Sequence, residues 1–206
     1  MSEPDYSVKI SLIGSSGVGK TCVLNRFSKN LYADNPNSTL GASFSEKVVK
    51  IGDKIVKCDL WDTAGQEKYR TVGKMFYKDS YIIFLVYSIT NKKSFEEIQS
   101  IWYPDVKKFG EQFQIIGVVG NKCDLFEEEQ VSEEDGRKFA EEINAKFFLV
   151  SAKSGVNINT MFESLIEEYL GEKFQYYVEK IQKDKETRRN FSISQIDLQK
   201  NKRKCC

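Results

Sequence analysis

The chain has 206 residues, of which 40% are hydrophobic, and a formal net charge of +1 at pH 7. This length suits one compact domain with a sizeable core and some chain left over. A net charge so close to zero argues against nucleic acid as a partner. The charge is uneven, because residues 180–206 hold nine basic and three acidic side chains and carry +6, whereas the rest carries −5. We therefore expect a basic tail that meets an anionic surface.

The cysteine pattern indicates a reducing, intracellular environment. The five cysteines are an odd number without a C-x-x-C pair, and the chain has no histidine, so we expect no zinc site. Residues 1–5 contain no apolar signal core. The longest apolar run, residues 81–87, is too short to span a bilayer. We expect a soluble chain.

The first half of the chain is predicted to form a strand, a helix and a hairpin. Residues 8–13 alternate between apolar and polar before becoming wholly apolar, as in a mostly buried strand. The dipeptide Gly52-Asp53 between two alternating runs is a two-residue hairpin signal. In chain order we expect a strand at 8–13, a helix carrying Val23, Leu24 and Phe27, a loop at 30–41, strands at 43–51 and 54–61, and a loop with an irregular helix to residue 79.

The second half is predicted to alternate buried strands with helices. Residues 81–87 are apolar throughout and mostly β-branched or aromatic, which is typical of a strand buried on both faces of a parallel sheet. We also expect strands at 115–120 and 147–150. Three helices are expected: one from Phe95 to Val106, one that begins after a cap at Ser132, and one from Ile158 to Leu170. This alternation predicts an α/β fold with a six-stranded, mainly parallel sheet, one antiparallel strand and helices on both faces.

Residues 14–21 fit the pattern G-x-x-x-x-G-K-[ST] of phosphate-binding loops. This segment, called the phosphate loop below, consists of Gly14, Ser15, Ser16, Gly17, Val18, Gly19, Lys20 and Thr21. Its glycines let backbone N–H groups turn inward on a phosphate, and the following helix adds its positive end. Lys20 would reach the β- and γ-phosphates, and Thr21 would bind Mg²⁺. The alternative is a glycine-rich turn without a chemical role, which the predicted strand before it and helix after it disfavour.

Four further segments lie in the order that a guanine-nucleotide switch requires. They are Thr39, Asp62-Thr63-Ala64-Gly65-Gln66, Asn121-Lys122-Cys123-Asp124 and Ser151-Ala152-Lys153. With the phosphate loop they resemble the Ras superfamily of small GTPases, and segments such as residues 40–44 and 85–90 are most similar to the Rab family. The resemblance implies a P-loop GTPase fold in a domain at 1–172, followed by a flexible basic tail at 173–206. It also implies cycling between an active GTP-bound and an inactive GDP-bound form in vesicle trafficking.

The resemblance implies how the base would be held. Guanine presents an N1–H and a 2-amino group, and the carboxylate of Asp124 can accept both, whereas adenine lacks this pair of donors. Asn121 would bond the O6/N7 edge and bridge back to the phosphate loop, and the backbone N–H of Ala152 would bond O6. The stems of Lys122 and Lys153 would cover the base faces. Further nucleotide contacts are expected at Cys22 and Ser151.

The resemblance also assigns the residues that sense and cleave the γ-phosphate. Thr39 would close on Mg²⁺ and the γ-phosphate, Gly65 would reach that phosphate through its backbone N–H, and Asp62 would hold Mg²⁺ through water. Gln66 would orient the attacking water, and the expected catalytic set is Gln66, Gly65 and Lys20. Because the family's catalytic arginine comes from an activating partner, hydrolysis by the chain alone should be slow. Tyr32 is expected against the guanine edge, with a plain exposed tyrosine as the alternative.

Protein partners and a membrane anchor follow from the same resemblance. Phe44, Trp61 and Phe76 would form an aromatic cluster read by effectors, with core filling as the alternative. Cys205 and Cys206 would be modified by prenylation machinery and hold the chain on the cytoplasmic face of intracellular membranes. A cytosolic pool would be carried by a GDP-dissociation inhibitor. An exchange factor and a GTPase-activating protein would drive the nucleotide cycle.

Three other functions stay open on the sequence alone. A Ras- or Ran-like signalling or transport GTPase would use the same motifs. A phosphotransferase such as a nucleoside kinase would need a second substrate pocket and an arginine-bearing lid, and the sequence has no insertion that could supply them. A module that holds GTP without hydrolysing it is disfavoured by the presence of Thr39, Gly65 and Gln66.

Overall fold

The computed structural model describes residues 3–34, 42–63, 78–109 and 114–171. One compact unit of the chain ends at Glu167 and contains the whole sheet. The strands are β1 (Tyr6–Ile13), β2 (Ala42–Ile51), β3 (Lys54–Thr63), β4 (Ile82–Ser88), β5 (Ile115–Asn121) and β6 (Lys146–Leu149). The helices are α1 (Lys20–Lys29), α2 (Lys92–Glu97), α3 (Tyr103–Phe109), α4 (Glu133–Glu142) and α5 (Ile158–Leu170), with a π-helical turn at Ile98–Trp102 and a 3₁₀ segment at Cys123–Glu128.

The strands form a six-stranded sheet in the order β2-β3-β1-β4-β5-β6. β2 runs antiparallel to β3, with Ala42 opposite Thr63 and Ile51 opposite Lys54, and the other neighbouring pairs are parallel. The predicted mainly parallel sheet with one antiparallel strand is therefore confirmed. The carboxyl ends of β1, β3, β4, β5 and β6 open onto one edge, where sheets of this kind bind their ligands.

The central strand β4 is buried along its whole length, as its apolar sequence predicts. Its alternate side chains enter two different layers. Leu85 and Tyr87 belong to a core that includes Phe95, Trp102 and Phe139 from the helical segments between β4 and β6. The Tyr87 and Phe95 rings lie 4.8 Å apart, and the Phe95 and Phe139 rings lie 5.9 Å apart. Aromatic packing thus fixes one helical layer against this face.

The opposite face of the sheet is covered by α1 and α5. Phe84 on β4 lies edge-on to Phe162 on α5, with ring centres 4.9 Å apart. Phe27 on α1 stacks on the same Phe162 ring at 3.7 Å. The three rings are at most 2% exposed. The prediction of helices on both faces is confirmed.

Local sequence signals set several turns and helix ends. Gly52 adopts a left-handed φ of 60° in the two-residue turn between β2 and β3. The predicted cap at Ser132 is confirmed, because its hydroxyl accepts the backbone N–H of Asp135 at 3.1 Å. Glu133 and Glu134 follow in the first turn of α4, where negative charge suits the helix dipole.

The helix predicted between Phe95 and Val106 is interrupted by an unexpected π-helical turn. The N–H of Tyr103 bonds to the carbonyl of Ile98, five residues earlier. Pro104 follows directly. A proline inside an α-helix has no N–H to donate and crowds the carbonyl four residues before it. The wider turn falls where the proline interrupts regular hydrogen bonding.

Some predicted elements lie outside the described residues. They are residues 35–41 of the first loop, most of the loop and irregular helix before residue 79, and the tail at 173–206.

A packing prediction follows from Gly136 on α4. A Cβ at this position would lie 2.4 Å from Phe147 Cε2 and 2.5 Å from Tyr87 Oη. Alanine favours a helix over glycine by about 1 kcal/mol, whereas overpacking a filled core costs about 1–3 kcal/mol. We expect Gly136→Ala to lower the free energy of unfolding by about 1 kcal/mol, as measured by urea denaturation.

Lys138→Ala is the matched control, because Lys138 is exposed on the same helix. It should change the free energy of unfolding by less than about 0.5 kcal/mol. A Gly136→Ala protein that is more stable than the parent would mean that helix propensity outweighs packing here.

Candidate nucleotide-binding site

The phosphate loop leaves the end of β1 and enters α1, the strand-loop-helix arrangement predicted from its sequence. Close backbone approach requires two of its glycines. Gly14 has a φ of 145°, and a Cβ there would lie 2.1 Å from the carbonyl oxygen of Val86. Gly19 has a φ of 95°, and a Cβ there would lie 2.5 Å from Asn121 Nδ2. The loop is therefore packed tightly against β4 and β5.

Lys20 is folded back over the phosphate loop, with 5% of its surface exposed. Its Nζ donates to the carbonyl oxygens of Gly14 at 2.8 Å and Ser15 at 2.9 Å. Burial lowers the pKa of the Lys20 ammonium to about 8, although the Asp62 carboxylate acts in the opposite direction. An anion beside the loop would favour the charged form and raise this pKa again.

A buried carboxylate lies beside the start of α1. Asp62 on β3 is 2% exposed, and the Thr21 hydroxyl donates to its Oδ2 at 2.6 Å. β3 is the neighbour of β1 in the sheet, which brings these two residues together although they are 41 positions apart. A hydroxyl and a carboxylate are the hard oxygen ligands that Mg²⁺ prefers. The pair therefore fits a magnesium site.

Asn121, the last residue of β5, connects the phosphate loop to the Ser151-Ala152-Lys153 segment. Its Nδ2 donates to the carbonyl of Val18 at 2.8 Å. Its Oδ1 accepts the backbone N–H of Ala152 at 3.2 Å. The side chain is 1% exposed, so both bonds are shielded from water. One carboxamide thus joins segments from distant parts of the chain.

Asp124 and Ser151 form a hydrogen-bonded pair. Ser151 Oγ donates to Asp124 Oδ1 at 2.6 Å and accepts the backbone N–H of Ser154 at 3.0 Å. Because Ser151 Oγ is held on both sides, it fixes the orientation of the Asp124 carboxylate. Two residues before Asp124, Lys122 adopts a left-handed φ of 69°, so the chain turns sharply after β5.

These segments surround a cleft of about 100 Å³. Lys122, Asp124 and Lys153 all line it, so two long basic side chains and one carboxylate converge on one space. Five further residues that the sequence predicts as nucleotide contacts line it as well, namely Gly19, Cys22, Tyr32, Asn121 and Ala152. The cleft is continuous with the phosphate loop through Gly19.

Arg26 on α1 is a site residue that the sequence does not reveal. Its Nε donates to the carbonyl of Ala152 at 2.9 Å, and its Nη2 donates to the carbonyl of Lys153 at 2.8 Å. Its guanidinium lies 5.9 Å from the centre of the Tyr32 ring. In the sequence, Arg26 is an ordinary polar residue of an amphipathic helix, and nothing signals partners 126 positions away. Leu125, which also lines the cleft, was not predicted either.

The predicted aromatic cluster is described in part. Phe44 on β2 and Trp61 on β3 are cross-strand neighbours with ring centres 5.2 Å apart. Phe44 is 50% exposed, so it belongs to a surface and not to the core. The predicted site residues that lie outside the described part of the chain are Thr39, Gly65, Gln66, Phe76, Cys205 and Cys206.

Known proteins resemble this chain over most of its length. The model of the Ras family matches residues 9–171. GTP-binding protein ypt2 of Schizosaccharomyces pombe is 34% identical over 204 residues, which cover 98% of this chain and 97% of that protein. Ras-related protein Rab-26 of Rattus norvegicus is 41% identical over 165 residues, or 80% of this chain and 64% of that protein. Ras-related protein Rab-8A of Bos taurus is 41% identical over 161 residues, or 78% of this chain and 77% of that protein. The chain therefore belongs to the Ras family and is a Rab-like small GTPase.

Proposed function

We propose that the phosphate loop and the adjoining cleft bind one guanine nucleotide, and that hydrolysis of GTP there switches the chain from an active to an inactive form in vesicle traffic. The observation that carries this proposal is the Asn121 bridge, because it joins the loop and the cleft into one site. The loop suits the phosphates, and the cleft suits the base.

The base would lie in the cleft with its N1–H and 2-amino group toward Asp124. Both groups are donors, and an ionised carboxylate is an acceptor on both oxygens. The Ser151 hydroxyl supports this role by orienting the carboxylate. Lys122 and Lys153 line the same cleft, and their apolar stems would cover the two faces of the ring.

The phosphates would lie on the phosphate loop at the start of α1. Helix N-termini favour anions because their N–H groups lack partners within the helix. Lys20 would exchange its bonds to the Gly14 and Ser15 carbonyls for phosphate oxygens. The negative charge of the anion would also stabilise the Lys20 ammonium and offset the lowering of its pKa by burial.

Thr21 and Asp62 would hold the magnesium ion that accompanies the phosphates. Their hydrogen bond supports this role, because it brings two hard oxygen donors together in a buried place. Bound there, Mg²⁺ would neutralise charge that develops on the phosphate oxygens. Thr39, which lies outside the described residues, would complete the set from the loop after α1.

Hydrolysis would depend on residues that follow β3. Gln66 would orient the attacking water, and the Gly65 N–H would bond the γ-phosphate, as would Thr39. These contacts exist only while the γ-phosphate is present, so the two segments would rearrange after cleavage. An arginine from an activating protein would raise the rate by roughly 10³- to 10⁵-fold.

As a Rab-like GTPase the chain works with exchange factors, activating proteins and effectors at membranes. Effectors would contact Phe44 and Trp61, together with Phe76. Among the described residues, no helix combines the length and apolar character needed to cross a membrane. We propose that prenyl groups on Cys205 and Cys206 attach the chain to the cytoplasmic face, and that a GDP-dissociation inhibitor carries the cytosolic pool.

Guanine selectivity should depend on Asp124. In Asp124→Asn an amide N–H₂ faces a base donor, and unpaired polar groups in such a site are costly. We expect GTP affinity to fall by about 10²-fold or more and affinity for xanthosine triphosphate to rise, as measured by isothermal titration calorimetry.

Glu127→Gln is the matched control for Asp124→Asn, since Glu127 is exposed on the same 3₁₀ segment. It should bind GTP as the parent does. A GTP affinity for Asp124→Asn within about threefold of the parent would mean that the base is not read by Asp124.

The lipid anchor should depend on both terminal thiols. One lipid chain gives only marginal membrane binding, whereas two signals anchor stably, and nearby basic side chains add roughly 1 kcal/mol each against anionic lipid. We expect Cys205→Ser/Cys206→Ser to bind nucleotide normally and to move into the soluble fraction of a cell lysate. Ser192→Ala/Ser194→Ala, in the same tail, should stay with the membranes. Full sedimentation of the double cysteine variant with membranes would contradict the anchor.

A further inference from the structure

The helical segment after β4 makes a direct contact with the phosphate loop. The Ser15 hydroxyl donates to Glu97 Oε2, at the end of α2. The indole Nε1 of Trp102, at the end of the π-helical turn, donates to the same Ser15 Oγ at 3.4 Å. Ser15 is 9% exposed and Trp102 is 6% exposed. The Glu97 side chain is 27% exposed, so the contact is enclosed at Ser15 and Trp102 and reaches solvent at Glu97.

Donor and acceptor chemistry fixes the direction of these two bonds. An indole N–H can only donate, and an ionised carboxylate can only accept. The Ser15 hydroxyl must therefore accept from Trp102 and give its own proton to Glu97. Hydrogen bonds to a charged carboxylate are the stronger kind. Within the described residues, the one ion pair that Glu97 makes is with Lys93 at 3.8 Å. This pair is weak because the Lys93 side chain is 82% exposed.

The π-helical turn makes the contact possible. Residues five apart on an α-helix point about 140° away from each other, so Glu97 and Trp102 would not meet one hydroxyl on a regular helix. A turn with a bond from residue i to residue i+5 returns them to the same side. The Tyr103 N–H bonded to the Ile98 carbonyl is this wider turn. Single-turn π-bulges within α-helices are frequently found at functional sites.

The contact reaches the phosphate site through the Ser15 backbone. Ser15 is the second residue of the phosphate loop, so the orientation of its peptide helps to set the shape of that loop. Its carbonyl accepts the Lys20 ammonium at 2.9 Å, a bond that Lys20 would exchange for phosphate oxygens when the nucleotide binds. A side chain bonded on two sides cannot rotate freely, and this limits the motion of its own backbone. A loop fixed in this way loses less entropy when a phosphate binds.

We propose that Glu97 and Trp102 are positioning residues of the phosphate loop, which they hold through Ser15 in the shape that receives the nucleotide phosphates. The inference rests on the phosphate-binding role proposed above for this loop. Neither residue touches the phosphates. Loss of either one loosens the Ser15 peptide and speeds the release of bound GDP.

The test measures release of methylanthraniloyl-GDP from the full chain in the presence of Mg²⁺. Glu97→Ala should release it about tenfold faster than the parent, because the variant removes the charged acceptor that holds the Ser15 hydroxyl. Trp102→Phe, which keeps an aromatic ring but lacks the N–H, should speed release by about threefold. Glu96→Ala, at an exposed neighbouring position, is the matched control and should release GDP at the parent rate.

Two further variants separate positioning from general stability. Glu97→Gln keeps an acceptor for the Ser15 hydroxyl and should restore release to within about threefold of the parent. In a Ser15→Ala background, Glu97→Ala should have no additional effect, because the shared bond is already absent. Fast release by Glu97→Gln, or a full Glu97→Ala effect in the Ser15→Ala background, would overturn the proposal.

A last variant separates failure of this inference from failure of the proposed function. Lys20→Ala should abolish GDP binding if the loop holds the phosphates. If Lys20→Ala still binds GDP, the proposed phosphate-binding role of the loop is wrong. Loss of binding in Lys20→Ala together with release at the parent rate in Glu97→Ala would contradict only the positioning role.

Discussion

The site depends on the side chain of Asn121, which joins its two halves. Its carboxamide holds the Val18 carbonyl and the Ala152 N–H at once, in a place shielded from water. Gly19 must lack a side chain because a Cβ there would lie 2.5 Å from Asn121 Nδ2. Asn121 can lie there because β5 ends at it, beside the end of β4. The phosphate loop and the Ser151-Ala152-Lys153 segment are therefore two ends of one hydrogen-bonded unit.

The sheet supplies the rigidity that this unit requires. Five parallel strands end at the same edge, and buried side chains cover both faces of β4. The polar groups of the site are supported by other polar groups close behind them, such as Ser151 behind Asp124 and Arg26 behind Lys153. Such support keeps recognising groups aligned before the ligand arrives, which lowers the entropy lost on binding.

The sequence predicts the fold well where the signal is local. The apolar run of β4, the turn at Gly52 and the cap at Ser132 each follow from neighbouring residues, and all were confirmed. The π-helical turn and the contacts of Arg26 were not predicted. The first depends on how Trp102 packs into the core while the exposed Pro104 interrupts regular hydrogen bonding, and the second joins residues 126 positions apart. Motif order identified the family, as the comparisons bear out, but it carries no information about such long-range support.

The most direct test of this account is the affinity of Asn121→Ala for GDP, measured by calorimetry with thermal unfolding of the nucleotide-free protein alongside. Removing the carboxamide leaves the Val18 carbonyl and the Ala152 N–H without their present partner. Without this bridge the phosphate loop and the Ser151-Ala152-Lys153 segment are no longer held together, so GDP has to order them when it binds, which costs free energy. We expect a folded protein whose GDP affinity is lower by about 10²-fold or more. A folded variant that binds GDP within about twofold of the parent would contradict the claim that Asn121 unites the two halves of the site.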